Sequence, residues 1–297
     1  MLDFIAKPLG QILYFIYNNL AFFNYGFAII IFTVIIKLVL LPLTVKQYKS
    51  TAKMQLIQPQ IQELQKRYKN NKEKLNEELM KVYQENKVNP AGGCLPLIIQ
   101  MPILISLYWV ITQPLKFMLN KTPEAIDSLI KFVETTAPNF TMGYSKQIGI
   151  LDYFSQYPEK LTGLENLLAR DELIGLQFLG LNLGKIPTYN PSLLFGPEAG
   201  TYLPLLILPV IGVITTFISA KLSMPRKDKD DKKSKDTGMV GSMSNSMLYM
   251  GPILTLIFSF QLPAGVVLYW IAGYVFQIFQ QLYINKHVIE KKEVASE

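Results

Sequence analysis

The chain has 297 residues, of which half are hydrophobic and only 17% are charged, and its mean hydropathy is +0.23. A soluble domain carries about 25% charged residues, so this composition indicates a membrane protein. The single Cys94 excludes a disulfide within the chain, and the single His287 excludes a histidine-cluster metal site. The net charge of +7 does not indicate a nucleic-acid partner, because the positive residues lie beside apolar segments.

The sequence has no motif for nucleotide hydrolysis or for hydrolytic catalysis, since it lacks GxxxxGKS/T, HExxH and GxSxG. We therefore expect a protein that is not an enzyme and that uses neither a cofactor nor a metal. Any work that it performs would have to draw on an energy source other than its own nucleotide hydrolysis.

The chain opens with residues 1–24, in which apolar side chains recur at helical spacing. These are Leu9, Ile12, Leu13, Ile16 and Leu20. Pro8 and Gly10 interrupt the apolar run and no small-residue cleavage site follows, which argues against a signal peptide. We expect an external interfacial amphipathic helix that lies on the membrane, with an uncleaved anchor as the alternative.

Several apolar stretches are long enough to cross a bilayer, which takes about 20 residues as a helix. The first three transmembrane helices are predicted at residues 25–46, 94–113 and 202–221. The apolar block 247–285 is too long for one crossing, and LPAG at 262–265 predicts a tight external turn between a fourth and a fifth helix. The fourth helix is short, which implies local thinning of the bilayer or a shielded position.

Residues 47–93 are polar but periodic, and they carry two narrow apolar stripes. The first consists of Ile57, Ile61 and Leu64, and the second of Leu75, Leu79 and Val82. This pattern predicts an αα-hairpin whose apolar seams face each other. The expected fold class is therefore all-α, a polytopic membrane helical bundle with five transmembrane helices and a cytoplasmic helical hairpin.

Lysine and arginine are unevenly distributed among the segments that connect the apolar stretches. Ten lie in residues 46–93 and seven in 221–246, whereas 113–201 has seven against nine acidic residues. The positive-inside rule then predicts an external N-terminus and a cytoplasmic C-terminus. The remaining expected segments are an external segment at 114–201, a cytoplasmic loop at 222–246 and a short cytoplasmic tail at 286–297.

Within the external segment, residues 173–187 (LIGLQFLGLNLGKIP) form the most apolar stretch. This stretch is too short and too glycine-rich to be a sixth crossing, so we expect an interfacial or re-entrant piece. Residues 120–170 predict only short helices.

Lys37 lies inside IIIFTVIIKLVLLPLTVKQ, residues 29–47, and no acidic residue stands nearby. An ionised lysine near a helix centre costs roughly 2.5–3.5 kcal/mol on insertion scales. The cytoplasmic end near Lys46 is about 13 Å away along a helix, beyond the reach of a lysine stem. The other apolar stretches contain no charged residue between their ends. Water is therefore the expected stabiliser, and a lysine neutralised by burial is the alternative.

Polar residues in the predicted helices could line a hydrated cavity around this lysine. Thr33 and Lys37 share a helix face, as do Thr215 and Ser219. The predicted substrate-binding groove comprises Lys37, Thr33, Gln100, Thr215, Ser219, Tyr269 and Trp270. If these faces meet, the groove is positively charged and open to the cytoplasm.

Such a groove suits a transient stop for an acidic or polar polypeptide segment, which the membrane potential, negative inside, drives outward. A solute or ion transporter is an alternative, although the sequence shows neither paired ionisable groups nor an internal repeat. A purely structural chaperone is a third hypothesis, and it predicts that replacing Lys37 by alanine leaves function intact.

Three stretches carry a resemblance to a known family. They are IIIFTVIIKLVLLPLTVKQYKSTAKMQLIQPQIQ, VNPAGGCLPLIIQMPILISLYWVI and LPAGVVLYWIAGYVFQIFQQ. In this order they resemble the YidC membrane-protein insertase family, most closely its five-span Gram-positive-type bacterial form. The resemblance implies a multi-pass protein of the bacterial plasma membrane that inserts and folds newly made membrane proteins.

The resemblance also implies roles for individual residues. The family's single intramembrane cation, typically arginine, falls on Lys37, and Thr33 falls on a groove position. Tyr269 and Trp270 match an aromatic pair along the client path. The implied partners are newly made membrane proteins and the lipid bilayer, with the Sec translocon, the ribosome and the signal recognition particle pathway as candidates. Only ten residues follow His287, so a long basic ribosome-binding tail is not expected.

Overall fold

The computed structural model of the protein describes residues 3–88, 95–223 and 239–284. These residues are predominantly helical, which confirms the helical fold class. The helices are α1 (Asp3–Asn19), α2 (Tyr25–Val39), α3 (Leu41–Leu56), α4 (Gln58–Arg67), α5 (Lys72–Glu85), α6 (Leu95–Thr112), α7 (Pro114–Phe117), α8 (Pro123–Thr136), α9 (Lys146–Gln156), α10 (Pro191–Phe195), α11 (Ala199–Tyr202), α12 (Ile207–Leu222), α13 (Met239–Ser259) and α14 (Ala264–Ile284). Short 3₁₀ turns lie at Pro158–Leu161, Arg170–Glu172 and Pro204–Leu206, and two strands, β1 (Gln177–Phe178) and β2 (Leu181–Asn182), pair with each other.

The described residues belong to two compact units. Unit 1 is drawn from residues 1–36, 100–212 and 255–273, and unit 2 from residues 37–99, 213–254 and 274–297. Unit 1 contains the larger hydrophobic core, which α1, α2, α6, α8, α9 and α14 all supply with buried side chains.

In unit 1, α1 packs against α7. The side-chain amide of Gln11 donates to the carbonyl oxygens of Phe117 and Met118, each at 2.9 Å. Gly10 permits this approach, because a Cβ at that position would collide with the backbone of Phe117. The start of the chain is therefore attached to the segment that follows α6.

The side chains that α1 buries inside the protein are only some of those that share its apolar spacing. Leu13 and Ile16 are buried as that spacing suggests, but Ile12 and Leu20 are 42% and 48% exposed. Small residues replace them on the buried face, where Ala6 and Gly10 lie next to α7 and the core. Spacing alone could not distinguish a small residue in close contact from an apolar residue that faces outward.

Residues 173–187, expected as an interfacial or re-entrant piece, contain a two-stranded antiparallel hairpin. Phe178 pairs with Leu181, and the two residues between them, Leu179 and Gly180, both have positive φ. Positive φ at both central positions matches the twist of paired strands. The Phe178 ring lies directly against Gly26 on α2, where any Cβ would overlap the ring.

This same segment caps the first turn of α14. The backbone N–H of Ala264 donates to the Lys185 carbonyl at 2.8 Å, and that of Gly265 donates to the Leu183 carbonyl at 2.9 Å. The first N–H groups of a helix have no partner within the helix, so these two bonds satisfy donors that would otherwise be buried and unpaired. An ion pair between Lys185 and Asp152, at 3.0 Å, holds the capping segment against α9.

Within the described ranges, two helical stretches could span a membrane by length and apolar composition: Ala199–Leu222 and Ala264–Ile284. A third is obtained if Tyr25–Val39 and Leu41–Thr51 count as one span with a 61° bend. The apolar helices Gln100–Thr112 and Leu248–Ser259 are shorter. Five spans therefore stay a prediction, and part of the stretches expected at 94–113 and 247–285 lies outside the described residues.

The bend falls inside the stretch expected to form one helix over 25–46. Pro42 lies in the first turn of α3, where it has no N–H to donate to Leu38, four residues earlier, and where its ring would clash with that carbonyl in a continuous helix. At the bend itself, the Leu40 carbonyl accepts from both the backbone N–H and the hydroxyl of Thr44, at 2.9 and 2.8 Å.

In unit 2, α4 and α5 pack against each other through a small apolar cluster. Its members are Ile57, Ile61 and Val88, with Met54, Leu79, Val82 and Tyr83 packed against them. Leu64 and Leu75, nearer the connecting turn, are only partly buried and lie outside the cluster. The side chain of Asn71 caps α5 by accepting from the Lys74 N–H at 3.0 Å.

Candidate functional site

The candidate site begins on α2, which carries Thr33 and Lys37 one turn apart. Thr33 is fully buried, and its hydroxyl donates to the Ile29 carbonyl at 2.6 Å, so the helix itself satisfies this polar group. Lys37 is partly exposed and lies two residues before α2 ends. Among the residues that the structure describes, no carboxylate lies within 4 Å of the Lys37 ammonium.

Two of the predicted groove residues contact each other. The side-chain amide of Gln100, on α6, donates to the hydroxyl of Tyr269, on α14, at 2.5 Å. Tyr269 is only 2% exposed and Gln100 is partly buried. A buried hydroxyl without a partner costs on the order of 1–3 kcal/mol, so each group lowers the cost of burying the other. The bond gives unit 1 a polar contact between two apolar helices.

Trp270 follows Tyr269 in the chain but faces elsewhere. Successive residues on a helix point about 100° apart, and the Trp270 indole meets Phe258 on α13 edge-to-face, with ring centroids 6.1 Å apart. Trp270 is partly exposed, whereas Tyr269 is buried. The two residues expected to act as a pair therefore occupy different faces of α14.

Thr215 and Ser219, on α12, are buried at 8% and 3% exposure. They share a helix face in unit 2, as their spacing predicts. The Ser219 carbonyl accepts from the hydroxyl of Ser223 at 2.9 Å. These buried hydroxyls make one face of an otherwise apolar helix polar without adding a charge.

Sequence reasoning missed a set of small residues at which α12 and α13 approach closely. In unit 1, a Cβ on Gly212 would lie 3.2 Å from the Thr255 methyl, and in unit 2 a Cβ on Gly251 would lie 3.3 Å from the Thr216 methyl. The spacing was visible in the sequence, since Gly212 and Thr216 are four apart, as are Gly251, Thr255 and Ser259. Small residues at intervals of four are typical of close helix packing in membranes.

The predicted groove residues are divided between the two units. Thr33, Gln100, Tyr269 and Trp270 belong to unit 1, and Lys37, Thr215 and Ser219 belong to unit 2. The structure brings Gln100 and Tyr269 into direct contact, and it places Thr33 with Lys37, and Thr215 with Ser219, on shared helix faces. A single groove that includes all seven residues stays a prediction.

The solvent-facing surface of α4 and α5 carries ion pairs within each helix. Glu63 pairs with Arg67 at 2.7 Å, and Lys81 pairs with both Glu77 and Glu78 at 2.8 Å. The hydrogen bond from Lys81 lowers the pKa of the Glu77 carboxyl, and the two glutamates raise the pKa of the Lys81 ammonium. Exposed pairs of this kind contribute little to stability, so the apolar cluster holds the two helices together.

Comparison with known proteins identifies the relatives of the chain. Residues 15–292 match the model of the family described as 60Kd inner membrane protein. The chain is 32% identical over 294 residues to "Membrane protein insertase YidC 2" of Listeria innocua, covering 98% of this chain and 74% of that protein. It is 31% identical over 273 residues to "Membrane protein insertase YidC" of Oceanobacillus iheyensis, covering 91% and 77%. The protein of the same name from Herminiimonas arsenicoxydans is 29% identical to the chain. That match covers 99% of this chain but only 39% of the longer relative.

The described residues form apolar helices that carry buried hydroxyls, together with Lys37, which has no ion-pair partner among those residues. These features are typical of an α-helical membrane protein. The chain belongs to the 60Kd inner membrane protein family, whose members named above are bacterial YidC insertases. The resemblance noted from the sequence is thereby confirmed.

Proposed function

We propose that the protein inserts and folds newly made membrane proteins in the bacterial plasma membrane. The proposal is supported by the names of its relatives, and the observation that carries it is Lys37, which has no carboxylate partner among the described residues. An intramembrane cation is costly and marks a functional site by default. Here its role is to attract negatively charged or polar client segments into a hydrated groove open to the cytoplasm and to lipid.

The proposed topology has five transmembrane helices, with the N-terminus outside and the C-terminus in the cytoplasm. It is supported by the excess of Lys and Arg in residues 46–93 and 221–246. The α4–α5 hairpin is then cytoplasmic, and the region from α7 to α11 is external. The shorter apolar helices, Gln100–Thr112 and Leu248–Ser259, cross where the bilayer is thinned or where neighbouring helices shield them.

In the proposed mechanism the polar tail of a client enters the groove near Lys37 and Thr33. The membrane potential then drives a negative charge outward by about 2.3 kcal/mol per 100 mV. No nucleotide is hydrolysed, because the potential and the burial of the client's apolar segment in lipid supply the free energy. The apolar segment leaves sideways along α12 and α14, past the partly exposed Trp270. Tyr269, expected beside it on this path, is buried on another face of α14 and bonds to Gln100, so its part is to support α14 from within.

The bond between Gln100 and Tyr269 supports this mechanism in one respect. It places a satisfied amide and hydroxyl on two apolar helices without a fixed charge. Neutral polar groups lower the cost of hydration near the helices while leaving Lys37 as the principal charge of the groove. Newly made membrane proteins and lipid are the proposed partners, and the Sec translocon, the ribosome and the signal recognition particle pathway are candidates for delivering clients.

Reconstitution tests the function directly. The purified protein is placed in liposomes without nucleotide, and a small membrane protein synthesised outside is scored for protection from added protease. We expect protection in these vesicles and none in protein-free vesicles. Lack of insertion, together with saturable solute flux in the absence of any client, would instead support the transporter hypothesis.

A further inference from the structure

Unit 1 contains a cavity whose lining is well separated in sequence from the groove residues of α2 and α12. The cavity, of ≈ 690 Å³, lies where α6 ends, between α1, α7, α8 and the start of α9. Its lining combines charged and aromatic side chains, and the mechanism above uses none of them. All of the lining residues belong to unit 1.

Four lysines from different segments line this cavity: Lys7, Lys116, Lys121 and Lys146. Three of them are neutralised by carboxylates that the fold supplies. Lys116 pairs with Asp3 at 2.9 Å, Lys121 with Glu172 at 2.6 Å and Lys146 with Glu134 at 2.9 Å. Lys7 makes no ion pair with any residue in the described part of the chain.

Asp127, on α8, is the acidic counterpart of Lys7. It lines the same cavity, and within the described ranges it has no ion-pair partner either. Lys7 and Asp127, both exposed at the rim, are therefore the charged residues of the lining that make no ion pair within the described part of the chain. A ligand that satisfies both carries a negative and a positive charge of its own.

The aromatic residues of the lining indicate the level of the bilayer at which the cavity lies. Tyr108 and Trp109 lie in the last turn of α6, with ring centroids 5.6 Å apart, and Trp109 is 41% exposed. Tyr144 lies on the facing loop and is 44% exposed. Tyrosine and tryptophan at the end of an apolar helix are typical of the level of lipid headgroups.

We propose that this cavity binds a phosphate ester that also carries a primary ammonium, as in a phosphoethanolamine lipid headgroup. The phosphate interacts with Lys7 and the ammonium with Asp127, while Tyr108 and Trp109 contact the glycerol region. Because the cavity lies at the level of the lipid headgroups, a lipid is favoured over soluble phosphoethanolamine, although both offer the same chemistry. The proposal does not depend on the direction in which the chain crosses the membrane.

The test measures lipid retention by the full-length protein in mixed micelles, using native mass spectrometry with lipids of matched acyl chains. Phosphatidylethanolamine, phosphatidylglycerol and phosphatidylcholine are compared, with soluble phosphoethanolamine as competitor. Lys7→Gln and Asp127→Asn test the two charges, and Lys131→Gln is the matched control, since Lys131 is an exposed residue of α8 that does not line the cavity. Thermal unfolding of each variant verifies that it is folded.

We expect preferential retention of phosphatidylethanolamine, weakened about tenfold by Lys7→Gln and by Asp127→Asn, the loss expected for one hydrogen bond to a charged group. Lys131→Gln should behave as wild type. Displacement by soluble phosphoethanolamine at equal concentration would assign the same chemistry to a soluble ligand. Preference for phosphatidylglycerol, strengthened by Asp127→Asn, would overturn the proposal in favour of a simple anion site. Equal retention of all lipids would also overturn it, and neither result would affect the insertion assay.

Discussion

The Gln100 amide and the Tyr269 hydroxyl, 169 residues apart in the chain, are hydrogen-bonded at 2.5 Å between α6 and α14. Both residues belong to unit 1, and Tyr269 is almost fully buried. The contact turns two polar side chains, each costly alone in an apolar setting, into a mutually satisfied pair. It also makes these two positions energetically dependent on each other.

Tyr269→Phe should destabilise the protein by about 1 kcal/mol, because it removes the acceptor of Gln100 and leaves that amide without its partner. Thermal unfolding in detergent measures the change. Tyr189→Phe, which removes a hydroxyl from a residue that is 78% exposed, is the matched control and should have no effect. If Gln100→Leu combined with Tyr269→Phe costs as much as the sum of the single changes, the two side chains are not coupled.

Gly26→Ala should destabilise unit 1 by roughly 1–3 kcal/mol, the usual cost of overpacking. The added methyl would overlap the Phe178 ring and push the β1–β2 hairpin away from α2. The double variant with Phe178→Ala should lose less stability than the sum of the two single changes, as followed by chemical unfolding. Gly200→Ala serves as control, since no atom lies within 4 Å of the site of its Cβ. An equal effect of both glycine substitutions would contradict the contact.

The apolar cluster between α4 and α5 should be needed for insertion. Ile61→Asn places an amide in a site that is 5% exposed, so the two helices should separate, whereas Met80→Asn changes a residue that is 52% exposed. We expect Ile61→Asn, like deletion of residues 50–87, to reduce client insertion while the rest of the chain stays folded. Limited proteolysis reports on the hairpin, and protease protection of a client reports on insertion. Normal insertion by a well-expressed deletion variant would contradict this role.

The ion pair between Asp3 and Lys116 should give the start of α1 a pH-dependent attachment. The hydrogen bond from Lys116 lowers the pKa of the Asp3 carboxyl. A carboxyl with a lowered pKa in the folded state stabilises it above the pKa of the unfolded chain, and this contribution disappears as the pH falls through the lowered value. Asp3→Asn should therefore lower the melting temperature slightly at pH 7 and not in strong acid. Asp171→Asn, at an exposed carboxylate without an ion pair in the described residues, should show no such dependence.

The helical character of the protein could be predicted because its apolar runs and narrow stripes have a helical period. The break after Val39 has one signal in the sequence, Pro42, but the apolar run continues through it, so hydropathy alone predicts one helix where there are two. The β1–β2 hairpin also escaped prediction, because Leu179 adopts positive φ without the usual asparagine or glycine.

The candidate site was predictable only in part. A lysine in an apolar run can be recognised from the sequence, as can polar residues one turn apart. The partner of Gln100 could not be identified, because a contact across 169 residues leaves no local pattern. The cavity beside α6 was missed for the same reason, since its charges come from α1, α7, α8, the start of α9 and the loop between α7 and α8.

The most direct test of the central claim varies the charge at Lys37. An acidic-tailed client is offered to proteoliposomes under an imposed potential, and wild type is compared with Lys37→Arg, Lys37→Ala and Lys37→Glu. Lys46→Ala, at an exposed lysine of α3, is the matched control. We expect Lys37→Arg and Lys46→Ala to insert normally and Lys37→Ala to lose about tenfold in rate, corresponding to an attraction on the order of 1.4 kcal/mol. Lys37→Glu should fail, and insertion by Lys37→Ala and Lys37→Glu at the wild-type rate would contradict an electrostatic role for this residue.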